Sequence, residues 1–144
     1  MKKELLSLYS LAEQQNIPVC RFPMPENGSM SVQTADGQCI IGMDARVLDN
    51  GTKERVHLAH ELGHCLTGSF YSPYTRVDSR RRHEYRADKY AVRLLIPVQA
   101  LDDAIAEGCT ELWELAEHFG VTEDFMRKAV CCYTHGNVAA ELYF

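Results

Sequence analysis

Residues 60–64 read His60-Glu61-Leu62-Gly63-His64, and this spacing can do metal chemistry. Two histidines at i and i+4 on a helix lie about 6 Å apart on one face, so both imidazoles can reach one ion at bonds of ~2 Å. Glu61 is rotated roughly 60° from His64 on a 3.6-residue helix, beside such an ion rather than under it. A carboxylate there can take a proton from a metal-activated water without ligating the metal. Hydrolytic zinc needs three protein ligands and one open position. Glu84, in Glu84-Tyr85-Arg86-Ala87-Asp88, is the candidate for the third. Read alone, Glu84 and Asp88 could equally form a solvated face, since Arg80, Arg81, Arg82, Arg86 and Lys89 surround them and exposed ion pairs are common.

His60-Glu61-Leu62-Gly63-His64, then Glu-x-x-Ala-Asp at 84–88, Tyr90-Ala91 and Leu-Leu-Ile-Pro at 94–97 together resemble the ImmA/IrrE metallopeptidases. The arrangement is similar to the gluzincin pattern of thermolysin. The resemblance covers residues 53–97 specifically. It implies a zincin-like fold around the two metal-bearing helices and a zinc ion held by His60, His64 and Glu84. Asp88 would be the hydrogen-bond partner of a ligand histidine, His60, a contact that fixes the tautomer and strengthens the ligand. Glu61 would be the general base that later protonates the leaving amine. The resemblance also implies a protein substrate, such as a helix-turn-helix repressor of a mobile element or stress response.

Other residues invite roles and are weighed against plainer ones. His57 shares a face with His60 but lies seven residues from His64, about 10.5 Å along the axis, so a hydrogen-bonded neighbour is expected rather than a ligand. His83 points about 100° away from Glu84 and is expected to be exposed. Tyr71, Tyr74 and His83 fall where an oxyanion donor is wanted, and spacing selects none of them. Arg80–Arg82 could steer an acidic substrate, but a solvated loop is the simpler expectation.

A rival function sits in the C-terminal third. Leu115–Thr122 resembles the core of a helix-turn-helix, so residues 110–132 could form a DNA-binding regulator. Glu123 and Asp124 would open its recognition helix and face phosphates with negative charge, which disfavours direct nucleic-acid binding. Packing on the catalytic core, or contact with a protein substrate through Trp113 and Phe125, is preferred. A third reading, a metal-binding interaction module without turnover, is disfavoured by the intact Glu61.

The elements that must position these residues follow from periodicity and punctuation. Helices are expected at 2–15, 53–67 (capped by Thr52, stopped by Gly68), 83–95, 98–106, 110–118 and 122–132. Thr110 and Thr122 are candidate caps. Extended segments are expected at 19–22, 30–34 and 39–43, the last two joined by a hairpin through Asp36-Gly37. The fold class is therefore α+β: an N-terminal helix and small antiparallel sheet, the metal-bearing helices, and a helical C-terminal subdomain. Residues 1–144 are read as a single domain, with a core at 1–97 and the helical part at 98–144. Hydrophobic residues make up 46% and charged residues 24%, and the net charge is −5, a balance that excludes disorder and disfavours sequence-blind nucleic-acid binding. Glu4, Ser7 and Ser10 interrupt any signal-peptide core, and no apolar run approaches the roughly 20 residues of a membrane span. A cytoplasmic protein without membrane contact is expected. Six cysteines show no metal-ligand or redox spacing and are expected to be reduced, packed thiols.

Overall fold

A computed structural model describes residues 2–70 and 76–135. The architecture is α+β. Helix α1 (Lys2–Gln14) precedes strands β1 (Val19–Arg21), β2 (Ser29–Gln33) and β3 (Cys39–Met43), and a short α2 (Ala45–Leu48) leads into α3 (Gly51–Thr67) and α4 (Val77–Leu95). Helices α5 (Val98–Ala106), α6 (Leu112–Phe119) and α7 (Glu123–His135) follow.

The sheet has the order β1-β3-β2. β2 and β3 form the expected antiparallel hairpin, with Ser31 opposite Ile41. β1, however, pairs with β3 in parallel, Val19 opposite Ile41, so the sheet is mixed and not antiparallel. The hairpin partner already occupies one edge of β3. β1 takes the other edge, and the chain returns through β2 before β3 begins, which leaves β1 and β3 running the same way. β2 and β3 lie against α3. Ile41, Met43, Leu58 and Leu62 are fully buried at this junction, each contributing about 1.5–3 kcal/mol on burial. α1 covers α3 with Leu8 and Ala12, and the Tyr9 hydroxyl donates to Glu54 on α3.

Gly63 sets the distance between the two site helices. A Cβ built there would lie 2.5 Å from the Ala87 carbonyl oxygen and 2.9 Å from its Cα. The α3 and α4 backbones thus touch at this crossing, which only glycine permits. On α4, Asp88 directly follows this contact and Glu84 lies three residues before it.

Several boundaries differ from expectation. α3 starts at Gly51 because Asn50, not Thr52, is its N-cap, its side chain accepting from Lys53 N–H at 3.1 Å. α4 begins at Val77, so Arg80–Arg82 are helical and not a loop. No side chain caps this end, and a polar first turn carries no apolar period. α6 starts at Leu112, with Glu114 accepting from the Glu111 N–H at 3.3 Å. Thr122 does cap α7, its hydroxyl accepting from Phe125 N–H at 3.2 Å. Cys39 and Cys65 are not free thiols: they form a disulfide joining β3 to α3. Residues 26 apart in sequence give no local spacing signal. Cys131 and Cys132 are buried thiols as expected, whereas Cys20 is exposed. No helix among the described residues is long and apolar enough to cross a membrane.

Candidate metal centre and active-site cleft

α3 carries His60 and His64 on the side away from Leu58 and Leu62, with Glu61 between the two faces, and the Gly63–Ala87 contact brings α4 alongside. His60 Nε2 and His64 Nε2 are 3.2 Å apart. Glu84 Oε2 lies 2.9 Å from the first and Oε1 3.0 Å from the second. The structure thus brings His60, His64 and Glu84 together as one group of ligand-type atoms that could hold a metal ion. Separations near 3 Å are what donors sharing one ion at ~2 Å bonds require.

Each imidazole spends its other nitrogen on a fixed acceptor. His60 Nδ1–H donates to Asp88 Oδ1 at 2.8 Å, as the resemblance implied, and Asp88 Oδ2 is 3.5 Å from Lys128 Nζ on α7. His64 Nδ1–H donates to the Ser69 carbonyl at 2.5 Å. With both Nδ1 atoms so committed, both Nε2 atoms aim at Glu84.

The electrostatics favour positive charge at that point. Burial opposes a charge on His60, but hydrogen bonds to Asp88 and Glu84 outweigh it and raise its pKa to about 10. His64 is also raised, against its burial, by its hydrogen bonds to Glu84 and the Ser69 carbonyl. Glu84 is held well below the usual carboxylate range: burial works the other way, and the hydrogen bonds from His60 and His64 prevail. Two neutral imidazole nitrogens and a carboxylate are also the set that a borderline divalent cation takes. The residues fit a metal.

Glu61 stands beside this cluster, buried at 5% exposure. Its Oε2 accepts a hydrogen bond from the Ser29 hydroxyl at 2.8 Å. His57 Nδ1 contacts the same hydroxyl at 2.6 Å, so His57 is the hydrogen-bonded neighbour its spacing suggested and not a ligand. Burial, the first of its causes, lowers the His57 pKa. Ser29 is absent from any sequence motif. Its place follows from the turn before β2. There Asp44 accepts from Met24 N–H at 2.7 Å, Asp44 N–H donates to the Gly28 carbonyl at 2.8 Å, and Gly28 adopts φ +80°.

These groups line a cleft of about 760 Å³ that also takes in Ser31, Phe70, Thr122 and Phe125. The helix expected to read DNA in the rival function therefore turns its first residues toward the cleft. Phe125 is buried at 3% exposure, so it is not available as a surface contact for a partner, whereas Trp113 is 56% exposed. His83 is half-buried rather than exposed. Tyr71 and Tyr74, the other oxyanion candidates, lie outside the described residues. Arg55, which no motif marked, is buried and donates from Nη1 to the Gly120 carbonyl at 2.9 Å, tying α3 to the end of α6.

In comparisons with known proteins, the family model of the IrrE N-terminal-like domain, peptidase M78, matches residues 12–130. No curated protein matches the chain.

Proposed function

The chain belongs to peptidase family M78, with its IrrE N-terminal-like domain, and from that premise we propose that it is a zinc-dependent endopeptidase cleaving a specific intracellular regulatory protein. The observation that carries the reading is the convergence of His60, His64 and Glu84 on one point beside the buried Glu61, inside a cleft. In this reading His60, His64 and Glu84 hold the zinc and Asp88 orients His60. The metal, when bound, supplies Lewis-acid polarisation of the attacking water and the scissile carbonyl. Glu61 accepts the proton that the water loses on attack, then delivers it to the departing amine nitrogen. Glu61 is buried and hydrogen-bonded on one oxygen by Ser29, which leaves the other oxygen for this transfer.

A protein substrate is what a peptidase of this family acts on, and a helix-turn-helix repressor of a mobile element or stress response is the substrate class we infer from the resemblance. Residues 1–144 act as one metallopeptidase domain in a cytoplasmic setting. A single core cluster that runs from Leu8 to Cys132 supports the one-domain reading.

The test pairs metal analysis with one substitution. The purified chain should carry about one zinc, and Glu61→Gln should keep the zinc while losing at least about 10²–10⁴-fold in hydrolysis of a quenched-fluorescent peptide library. Wild-type turnover in that variant would refute Glu61 as the base. A chain that binds no divalent metal would refute the centre itself.

A further inference from the structure

We propose that Ser29 and His57 form a hydrogen-bond chain, His57 Nδ1–H to Ser29 Oγ–H to Glu61 Oε2, that positions Glu61 for proton transfer. The inference rests on the reading of Glu61 as the base and names two positioning residues for it.

Proton counting gives the chain its direction. Ser29 has one hydroxyl proton, and a carboxylate can only accept. At 2.8 Å that proton goes to Glu61 Oε2. The 2.6 Å contact between Ser29 Oγ and His57 Nδ1 must then be donated by the ring. His57 therefore carries its proton on Nδ1, and the serine oxygen accepts from one side while donating to the other. Such a relay polarises the hydroxyl and strengthens its bond to the carboxylate.

The surroundings hold this chain in place. Ser29 and Glu61 are 6% and 5% exposed, so water competes little for either bond. The left-handed turn at Gly28 makes room for the ring: a Cβ there would lie 3.1 Å from His57 Cε1 and 2.8 Å from Val47 Cγ2. His57 and Glu61 are one helical turn apart on α3, so both face the start of β2, where Ser29 stands. A glutamate has three rotatable side-chain bonds and gains catalytic value only when its free oxygen faces the reacting proton. Fixing Oε2 removes that freedom.

The experiment uses the full-length, zinc-loaded chain. Nitrogen-15 NMR of the histidine rings should show His57 protonated on Nδ1, and Ser29→Ala should release that proton to exchange with water. In kinetics on the quenched-fluorescent peptide library, Ser29→Ala should lower kcat on the order of 10–100-fold. KM, zinc content and melting temperature should stay near wild type. Ser29→Thr, which restores the hydroxyl, should recover most of the rate. His57→Asn, whose amide N–H sits near the Nδ1 position, should lose less than His57→Leu. A wild-type kcat in Ser29→Ala, or a His57 ring protonated on Nε2, would overturn the proposal. Turnover surviving in Glu61→Gln would instead sink the reading beneath it, and the ring spectra would still decide the hydrogen-bond chain independently.

Discussion

His60 and His64 each commit Nδ1 to an oxygen that can only accept, which leaves their Nε2 atoms aimed at one point with Glu84. The two anchors differ in kind. His64 leans on a backbone carbonyl that no substitution removes, whereas His60 depends on the Asp88 side chain. Asp88→Ala should therefore weaken zinc binding on the order of 10–100-fold while Glu84 and His64 remain in place. Competition titration with a zinc chelator measures this directly, and unchanged affinity would show that Asp88 does not orient His60. Truncating Lys128, 3.5 Å from the far oxygen of Asp88, should cost less, because it touches the oxygen that does not hold His60.

At the scale of elements, the centre exists because α3 and α4 touch. Gly63→Ala would place a methyl group 2.5 Å from the Ala87 carbonyl oxygen, and the neighbour is backbone, which cannot swing aside. The helices must separate, at about 1–3 kcal/mol for overpacking. Glu84 moves with α4, so zinc content should fall together with melting temperature. The turn before β2 makes a second testable element. Asp44 is held to a pKa of about 2 by backbone N–H groups, those of Arg46 first and Met24 second, with the Arg46 side chain adding to them. Its folded value lies below the ordinary 3.8. Its contribution to stability is thus complete above about pH 4 and is lost as pH falls toward 2. Asp44→Asn should flatten the stability profile in that window, read by denaturant melts at successive pH values, and should leave the profile near neutrality with the same slope as wild type.

Across the whole molecule, the acidic charge and the orientation of α7 argue together. The net charge is −5, and Thr122, Asp124 and Phe125 border the cleft. A recognition helix must present its first turn to the major groove, and here that turn buries Phe125 and exposes two carboxylates, Glu123 and Asp124. The full chain should show no sequence-specific DNA complex in an anisotropy screen at about 0.15 M salt. A complex at ~10⁻⁸ M or tighter, the range of true readers, would reverse this ranking. The same packing, with α7 against α4, makes the C-terminal helices part of what shapes the cleft.

The local signals in the chain were enough for the parts of this protein that depend on short-range spacing. The i, i+4 histidines, the helix under them apart from its first residues and cap, the β2–β3 hairpin and the Thr122 cap all arise from contacts within a few residues. The α+β class followed from the same periods. What lay beyond them were pairings between distant segments. Nothing near Ser29 announces that it will meet Glu61, nor does anything near Cys39 announce Cys65, and β1 could not be assigned to the parallel edge of β3 from its own three residues. The start of α4 was missed for a related reason: a charged, uncapped first turn has no apolar period to read. Glu84 stood between these cases, a plausible ligand by resemblance but by itself one carboxylate in a basic stretch. Only the close crossing at Gly63 and Ala87 decided that its carboxylate faces His60 and His64, because the distance between two helices is set by the packing of side chains that come from both.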